Sequence, residues 1–398
     1  MSEEQSHGER RQGEVYVDGT LKGNDRDTPV AYDRLQSAAR ETLSSEAFAY
    51  VAGGAGSERT MRNNRRAFDR WRLVPRMLRD VDDRELTTRL FGQTLPVPFL
   101  LAPIGVQSIV HDEAELATAR AAATEEIPLV QSMAASRRLE DVASALGETP
   151  GWFQLYWSRD REVTRSAIDR AERAGYSAIV VTVDTPLLGW RERDVREGYL
   201  PFLDGDGLAN YTTDPAFRDR LDAPPEEDEE AAIREFLDVF TDASLDWEDL
   251  SWLSAQTDLP LIVKGIVAPE DARLAVEHGA DGVVVSNHGG RQVDGAVASL
   301  AVLPEIAEAV GSVPVLFDSG IRTGADALKA LALGADAVLL GRPYAYGLAV
   351  GGASGVRDVA ANFRADLDIT MGLVGCSRPA DVERQVVRRT ARPPAETR

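Results

Sequence analysis

The chain has 398 residues, 43% of them hydrophobic, which is enough for a large core, and it carries a net charge of −21. Its basic residues are three lysines against 41 arginines, with no basic patch, so neither a nucleic-acid partner nor an anionic membrane surface is expected. An acidic excess with few lysines is typical of proteins that stay soluble in concentrated salt, which predicts a halophilic protein.

The cysteine content and the N-terminal sequence indicate the cellular compartment in which the protein is expected. The single cysteine, Cys376, allows no intrachain disulfide, which fits a reducing compartment. The first twenty residues lack the apolar segment of a signal peptide, and no stretch reaches the roughly 20 apolar residues of a membrane span. We therefore expect a cytoplasmic protein. The histidines are few and scattered, so no metal site is expected either.

The N-terminal part divides into two segments. Residues 1–30 are polar and charged, and we expect them to form a flexible acidic and polar tail. Residues 31–50 have helical spacing that ends at the glycines of "AYVAGGAG", which predicts a helical extension ahead of the main domain. We expect residues 31–398 to form one domain.

Eight short apolar runs then alternate with longer amphipathic segments. Continuous apolar runs are typical of parallel strands that are covered on both faces, and eight strand–helix units predict a TIM (β/α)8 barrel. A doubly wound open sheet is the alternative, but no Gly-x-Gly-x-x-Gly follows the first strand. The predicted strands are residues 98–103, 127–132, 152–157, 178–184, 260–265, 282–287, 314–319 and 337–342.

One connection is far longer than the others. Residues 185–259 separate the fourth and fifth predicted strands, and they include the acidic run "PPEEDEEAAIREF". Connections of this length in a compact domain are usually functional loops or disordered segments. We expect a lid-like insertion here, with the acidic run on a solvated face.

Polar residues follow the predicted strands at their carboxyl ends, where barrels place their active sites. Lys264 ends the fifth strand, and a buried lysine without a partner is costly. His288 and Arg291 follow the sixth strand, whereas His111 and His278 are expected at the surface. Asp318 and the pair Gly341–Arg342 end the last two strands, where barrels commonly bind phosphate. The set indicates a site for a phosphorylated cofactor or substrate.

With these strand ends assembled, the chain resembles the FMN-dependent L-2-hydroxy acid oxidase and dehydrogenase family, which includes glycolate oxidase, lactate oxidase and flavocytochrome b2. The most specific motif is "SNHGGRQ" at residues 286–292, and the match runs from "YVAGGA" at 50–55 to "GLVGC" at 372–376. The supporting motifs, in the family's order, are "FQLYW", "TVDTP", "LIVKG", "FDSGIRTG" and "LALGADAVLLGRP". The resemblance implies that residues 31–398 are a single FMN-binding barrel.

The resemblance also implies catalytic roles for three residues. His288 would take a proton from the substrate as two electrons pass to the flavin, by either a hydride or a carbanion route. Asp184 would pair with the imidazolium, and Tyr156 would hydrogen-bond the substrate oxygen. The residues implied in substrate binding are Tyr50, Tyr156, Arg191 and Arg291, of which the arginines suit a planar carboxylate.

The cofactor site implied by the resemblance draws on nearly every strand end. Lys264 would stabilise the negative charge of the reduced flavin. Gln131 stands where many relatives have serine, and Ser132 follows it. The implied cofactor-binding residues are Pro103, Ile104, Gly105, Ser132, Gln154, Thr182, Lys264, Ser286, Asp318, Ser319, Gly320, Arg322, Gly341 and Arg342.

Three further segments are similar to the lactate 2-monooxygenase branch, which converts L-lactate and O2 to acetate, CO2 and water while pyruvate is trapped beside the flavin. They are "GWRERD" at 189–194, "LANYTTDPAF" at 208–217 and "GRPYAYGLAVGG" at 341–352. Gly105, an alanine in many oxidases, matches this branch and is expected to leave space near the flavin. The family resemblance also implies a homo-tetramer or homo-octamer.

Other functions stay open at this point. A plain oxidase that releases peroxide, or a quinone-linked dehydrogenase, would act on the same acids. Lys264 at a barrel strand end could instead form a Schiff base, as in aldolases. A non-catalytic acidic scaffold is the third class, and only the charge supports it.

Overall fold

Four helices precede the barrel in the structure, a computed structural model that describes residues 6–22 and 28–390. They are α1 (His7–Lys22), α2 (Tyr32–Thr42), α3 (Ser45–Ala52) and α4 (Arg59–Asp69). Ser44 separates α2 from α3, because its side chain accepts a hydrogen bond from the backbone N–H of Ala47 and so caps α3. The helical spacing over residues 31–50 therefore belongs to two helices.

Helix α1 differs from the flexible tail that we expected over the first 30 residues. Its start is fixed to the C-terminal helix, because the buried carboxylate of Asp368 accepts a hydrogen bond from the Gly8 N–H at 2.8 Å and pairs with Arg84 at 3.2 Å. The polar composition hid this docking, since charged groups rather than an apolar stripe make the contact. Residues 1–5 and 23–27 of that range lie outside the described part.

The eight predicted strands are all confirmed, and they close into a parallel barrel. Three short strands come before them: β1 (Trp71–Leu73), β2 (Thr88–Leu90) and β3 (Gln93–Leu95). The order around the barrel is β10-β11-β4-β5-β6-β7-β8-β9, and β10 pairs with β9 to close it. The barrel strands are β4 (Phe99–Leu101), β5 (Leu129–Ser132), β6 (Gly151–Tyr156), β7 (Ile179–Thr182), β8 (Leu261–Ile266), β9 (Gly282–Val285), β10 (Val315–Phe317) and β11 (Ala337–Leu340).

Helices cover the outside of the barrel and fill the long connection. A last strand, β12 (Val387–Arg389), pairs antiparallel with β1. The helices are α5 (Glu115–Glu125), α6 (Leu139–Leu146), α7 (Arg161–Arg173), α8 (Glu192–Glu197), α9 (Ala209–Thr212), α10 (Pro215–Arg218), α11 (Glu229–Val239), α12 (Trp247–Ser254), α13 (Pro269–Glu277), α14 (Ser299–Val310), α15 (Gly324–Ala332) and α16 (Arg342–Leu373). Short 3-10 turns span Gln107–Ile109, Pro201–Asp204, His288–Gly290, Pro379–Asp381 and Arg384–Val386.

The barrel interior is apolar at its amino end. Alternate residues of a strand point to the same face, so one residue per strand fills this layer. The β2–β3 hairpin closes the floor, and its turn residue Phe91 meets the Trp152 ring edge-on at 5.6 Å. The inward layer consists of Leu100, Val130, Trp152, Val180, Ile262, Val284, Leu316 and Leu339.

Polar side chains occupy the same inward face two residues further along the strands. They lie at the carboxyl ends, so the period of two carries each strand from the apolar floor to a polar rim. These residues are Ser132, Gln154, Thr182, Lys264, Ser286 and Asp318, all of them buried. The rim they form is where the site predicted from the sequence lies.

The connection over residues 185–259 is helical and packed rather than disordered. The acidic run starts α11, where the Asp228 carboxylate accepts a hydrogen bond from the Ala231 N–H, and the charges that follow are exposed. Aromatic rings hold the segment together: Phe202 lies 5.1 Å from Phe236, and Tyr211 lies 4.9 Å from Phe236. The connection therefore forms a wall with its own small core.

The docking of α1 gives a stability prediction. Asp368→Ala removes the acceptor of Gly8 and leaves the buried Arg84 with only the exposed carboxylate of Glu9, at 3.7 Å, so the free energy of unfolding should fall by about 3 kcal/mol. Urea unfolding would measure the change, and limited proteolysis would show α1 released. Glu270→Ala, which breaks an exposed pair with Arg273, is the matched control and should change stability by less than about 1 kcal/mol. Equal effects of the two substitutions would contradict the docking role.

Candidate active site

The turn after β9 carries a histidine in an unusual backbone conformation. His288, Gly289 and Gly290 all have positive φ, at 57°, 64° and 78°. A side chain at Gly290 would lie 2.6 Å from the backbone nitrogen of Met61, so only glycine fits there. The turn aims the imidazole across the rim, where its Nδ1 lies 2.9 Å from Oδ1 of Asp184. Asp184 follows β7 and His288 follows β9, and closure of the barrel brings the two side chains together.

Hydrogen bonds from residues at the ends of β9 and β10 and from helix α4 hold that turn. The Ser319 hydroxyl accepts a hydrogen bond from the Gly289 N–H at 3.0 Å, and the Ser286 hydroxyl accepts one from the His288 N–H at 3.0 Å. Asn287 exchanges two side-chain amide hydrogen bonds with Asn64 of α4, both at 2.8 Å. The left-handed histidine is therefore fixed by its surroundings rather than by local preference.

The electrostatics of this pair suit a neutral base beside a charged carboxylate. Burial lowers the pKa of His288 below its usual value, and the neighbouring Lys264 adds to this, although Asp184 opposes it. Burial would raise the pKa of Asp184, but the charges of His288 and Lys264 outweigh it and hold that pKa below its usual value. At neutral pH the histidine can accept a proton, and the aspartate can stabilise the cation that results.

Lys264 is a buried cation with a defined partner. Its Nζ lies 3.5 Å from the Asp318 carboxylate and 3.3 Å from the Ser286 hydroxyl. Burial would lower the pKa of Lys264, but Asp318 and Asp184 raise it above the usual value. The amine is therefore protonated, which suits stabilisation of a negative charge and is the wrong state for a Schiff-base nucleophile.

Two arginines and a tyrosine form an anion-binding corner. The guanidinium of Arg291 lies over the Tyr50 ring at 5.0 Å and that of Arg191 at 5.8 Å, while Arg191 Nε donates to the Arg291 carbonyl at 3.3 Å. Burial, together with the like charges of Arg191 and Arg342, lowers the pKa of Arg291 to about 9. This crowding of positive charge would be relieved by a bound carboxylate.

The opposite wall is aromatic and contributes one polar group. The Tyr156 ring lies 5.2 Å from Phe240, which packs 5.2 Å from Phe202. Burial raises the pKa of Tyr156 to about 12, so its hydroxyl is protonated and can donate to a substrate oxygen. Both phenylalanines come from the long connection, which therefore closes this side of the cavity.

The loop after β4 is held in a strained conformation beside the cavity. Val106 has φ of 57°, which β-branched residues rarely adopt, and its N–H donates to the Ala134 carbonyl at 2.8 Å. The buried Gln107 side chain donates to the Ile104 carbonyl at 3.0 Å, and its backbone N–H donates to the Glu115 carboxylate at 3.1 Å. Gln107 and Glu115 thus position a loop whose residues line the cavity.

Gly105 in this loop corrects one expectation. A side chain there would lie 2.4 Å from the Ala134 carbonyl oxygen and 3.2 Å from the Ser132 hydroxyl. The missing methyl group therefore lets the loop pack against the end of β5, rather than opening space in the cavity. Alanine at this position would require the loop to move.

The rim after β10 and β11 forms the end of the cavity that suits a phosphate. Gly320 has φ of 111°, and α16 begins at Arg342 directly after Gly341, so a helix N-terminus faces the rim. The Arg322 guanidinium lies over the Tyr32 ring at 4.3 Å. The Arg342 guanidinium donates to the backbone carbonyls of Val51, Gly53 and Gly289, so it already joins α3 to the histidine turn.

Most residues singled out from the sequence surround one cavity. Those that line it are Tyr50, Pro103, Ile104, Gly105, Tyr156, Arg191, Lys264, His288, Arg291, Asp318, Ser319, Gly320, Arg322, Gly341 and Arg342. The others lie just behind the lining: Ser132, Gln154, Thr182, Asp184 and Ser286. His111 and His278 lie elsewhere and are half-buried.

Sequence reasoning missed several residues that shape the site. Gln292 belongs to the "SNHGGRQ" motif, and its amide donates to the carbonyls of Asp184 and Leu187 at 2.6 and 2.9 Å, so it fixes the start of the long connection. Its place in the motif could have indicated a role. Phe202 and Phe240 carried no such signal, because only the fold of the connection brings them to the cavity.

The cavity's chemistry fits FMN. Nε2 of Gln154 is buried without a hydrogen-bond partner among the described residues, while its Oε1 accepts from Ser132 at 3.0 Å, so an amide donor is left for a flavin edge. Lys264 offers a buried positive charge. Arg322 has an unpartnered buried Nε, and burial and the nearby Arg342 lower its pKa, which an anionic phosphate would offset.

Fold and site together define a barrel enzyme that moves a proton at a small anionic substrate beside a phosphorylated cofactor. The sequence model of a family described as "FMN-dependent dehydrogenase" matches residues 39–389. The L-lactate oxidase of Lysinibacillus sphaericus (strain C3-41) is 46% identical over 348 residues, 87% of this chain and 89% of that protein. The human 2-hydroxyacid oxidase 1 is 42% identical over 365 residues, which are 90% of this chain and 96% of that protein.

Solved structures of similar proteins indicate the same family. A crystal structure of mandelate oxidase with benzoyl-formic acid is 41% identical, with a TM-score of 0.80, and covers 91% of this chain and 99% of that one. The chain belongs to the FMN-dependent 2-hydroxy acid oxidase and dehydrogenase family, and FMN is its cofactor. The resemblance found in the sequence is confirmed, and the aldolase and scaffold alternatives are set aside.

Two kinds of feature are absent from the part of the chain that the structure describes. Over residues 6–22 and 28–390, no helix is long and apolar enough to cross a membrane. The same part of the chain contains no group of three or more His, Cys, Asp or Glu side chains that could hold a metal ion.

The role of the histidine can be tested with the flavin as reporter. His288→Ala should slow reduction of the flavin by a 2-hydroxy acid about 10³-fold or more, because the proton acceptor is lost. The purified variant should stay yellow with unchanged FMN content, since the fold of the phosphate end is untouched. His278→Ala, at a half-buried position bonded to Ser251, is the control and should reduce normally. A colourless His288→Ala protein would contradict the assignment.

The lowered pKa of His288 gives a pH prediction. A base must be neutral, and burial keeps this one neutral to a lower pH than usual, so kcat/KM should be level at neutral pH and fall only below the usual histidine value of 6.5. Asp184→Asn removes a charge that raises the pKa of His288, so it should move this fall to still lower pH and lower the rate throughout. A fall centred above 6.5 in the native enzyme would contradict the prediction.

Proposed function

We propose that the enzyme is a lactate 2-monooxygenase, which converts L-lactate and O2 to acetate, CO2 and water. The observation that carries the proposal is the lining on the substrate side of the cavity, which encloses His288 with Arg191 and Arg291 and with the rings of Phe202 and Phe240. The segments that resemble the monooxygenase branch supply parts of that enclosure, since Arg191 lies in "GWRERD" and Tyr211 in "LANYTTDPAF" packs against Phe240 at 6.3 Å.

Binding would begin with the substrate carboxylate. Arg291 and Arg191 offer positive charge above the Tyr50 ring, and a carboxylate between them would offset the repulsion that lowers the pKa of Arg291. The protonated Tyr156 hydroxyl would donate to the second substrate oxygen. These contacts would orient the hydroxyl-bearing carbon toward His288.

Proton removal would then fall to His288. The neutral imidazole would accept the proton at Nε2, because Nδ1 is held by Asp184 at 2.9 Å. Because the nearby charges of His288 and Lys264 lower the pKa of Asp184, its carboxylate stays ionised, and the developing imidazolium would have a fixed counter-charge. FMN, when bound, accepts the two electrons that leave the substrate.

The aromatic wall supports a substrate with a short side chain. The Phe240 ring lies 5.2 Å from the Tyr156 ring and 5.2 Å from the Phe202 ring, so packed aromatic side chains border the cavity there and would limit the size of the substrate side chain. The same wall would slow the escape of the keto acid that forms. Retention of this keto acid is what a monooxygenase needs, because oxygen must react while the acid is still present.

A plain L-lactate oxidase, which releases pyruvate and hydrogen peroxide, is the second candidate. The high identity to proteins named L-lactate oxidase in Lysinibacillus sphaericus and in Nostoc sp., 46% in each case, favours it. A quinone-linked dehydrogenase would differ from both in using no oxygen.

Product analysis separates the candidates. The holoenzyme is given L-lactate and O2, and acetate, CO2, pyruvate and peroxide are each quantified. Acetate and CO2 in equal amounts, with little free peroxide, support the proposal. Pyruvate with one equivalent of peroxide would overturn it in favour of the oxidase, and an absence of oxygen uptake would indicate a dehydrogenase.

Arg291→Lys tests the carboxylate contact. Lysine keeps the charge but loses the planar fork, so KM for L-lactate should rise about tenfold or more while FMN stays bound. Steady-state kinetics would measure the change. Arg273→Lys, on the exposed face of α13, is the control and should leave KM unchanged. An unaltered KM in Arg291→Lys would argue against direct contact with the carboxylate.

Three broader properties remain proposals. The acidic, lysine-poor composition supports a protein adapted to high salt, the single cysteine fits the reducing cytoplasm, and the family resemblance supports a homo-tetramer or homo-octamer. Light scattering over a range of salt concentrations would test the assembly and its salt dependence together.

A further inference from the structure

A second cavity lies directly behind the substrate side of the first. It has a volume of about 400 Å³, and Tyr156, Thr185 and Phe240 line both cavities, so a single layer of side chains separates the two. It sits where β7 and β8 end, beneath α12 and the loop that precedes it. Tyr156 and Thr182 belong to its lining, but no role assigned above places a molecule in this space.

The inner wall of the second cavity is mainly apolar, although the side chains of Thr182 and Thr185 also line it. Leu250 and Ile266 are almost fully buried there, and Trp157 and Phe240 add aromatic surface. The only carboxylates in the lining are those of Asp242, Asp246 and Asp271, which are exposed or half-buried at the rim. The cavity thus combines a negative entrance with an apolar interior.

This lining selects against most of the molecules in the reaction. Lactate, pyruvate and acetate are anions, so the aspartates repel them, whereas the first cavity attracts them with arginines. A cation would find no carboxylate on the inner wall to replace its water shell. A small uncharged apolar molecule is favoured in such a space.

The proposed reaction creates a need for such a space. O2 has to reach the flavin while the keto acid still occupies the first cavity between Arg291 and Tyr156. The substrate entrance is blocked at that moment, so oxygen requires another route. The shared wall opens on the substrate side, which is where the retained keto acid would lie.

We propose that the second cavity is an oxygen reservoir and entry route, from which O2 crosses between Tyr156, Thr185 and Phe240 to the reduced enzyme. This inference rests on the proposed function in so far as the keto acid blocks the first route. O2 takes two electrons from the reduced flavin, and with a retained keto acid the overall products are acetate, CO2 and water. If the keto acid leaves first, the products are pyruvate and H2O2.

The test obstructs the second cavity without touching the first. Ala243 is exposed and lines only the second cavity, so Ala243→Trp places a large ring at its entrance. Leu245→Trp, from a half-buried position in the same wall, supplies a second obstruction that does not depend on one side-chain rotamer. Ser244→Trp is the matched control, because Ser244 is exposed and lies outside the lining.

Stopped-flow kinetics on the holoenzyme would separate the two half-reactions. Anaerobic reduction by L-lactate should be unchanged in all three variants. The second-order rate of reoxidation by O2 should fall about tenfold in Ala243→Trp and Leu245→Trp but not in Ser244→Trp. The two obstructed variants should also release a larger share of pyruvate and peroxide, because the keto acid has longer to leave.

Xenon binding in crystals tests the proposal without relying on turnover. Crystals of the native holoenzyme under xenon pressure should hold xenon between Leu250 and Ile266, and the obstructed variants should not. The inference would be overturned if native crystals held no xenon in the second cavity. It would also be overturned if the obstructed variants excluded xenon but were still reoxidised by O2 at the native rate. Pyruvate and peroxide from the native enzyme would overturn the monooxygenase assignment but leave the contrast in reoxidation rates intact, so the two failures can be told apart.

Discussion

An excess of buried positive charge at the carboxyl rim of the barrel is the constraint on which the site depends. Lys264 and Asp318 form one pair, but Arg291, Arg322 and Arg342 have no carboxylate within ion-pair distance among the described residues. Uncompensated cations in a partly buried site are costly. In the proposed function two anions would restore the balance, the phosphate of FMN at one end and the substrate carboxylate at the other, so the charges that are costly on their own would create the affinity of the rim.

The base of the site depends on a strained turn that other elements hold in place. His288 is left-handed, and Ser286, Ser319 and the Asn64–Asn287 pair fix it from separate parts of the chain. The loop after β4 follows the same design, because Gln107 and Glu115 secure a left-handed Val106. Strained backbone therefore borders the cavity at both of these loops, and buried polar side chains stabilise it there.

The long connection between β7 and β8 gives this barrel its particular chemistry. It supplies Arg191 to the anion corner and Phe202 and Phe240 to the aromatic wall, and Phe240 separates the substrate cavity from the second, apolar one. In the proposed function, this one segment would govern substrate size, retention of the keto acid and access of oxygen. The barrel rim itself carries His288, Asp184 and Lys264, the residues proposed to act beside FMN.

The sequence by itself determined the eight-stranded barrel and the polar residues at its strand ends, because apolar runs and the two-residue period are local patterns that survive in the chain. It also determined the flavin family through the motif around His288. Only the tertiary structure decided that α1 docks on Asp368, that Gly105 packs against Ala134, and that Phe202 and Phe240 close the site. Those contacts join segments far apart in the chain through single charged or aromatic side chains, and neither composition nor periodicity records them.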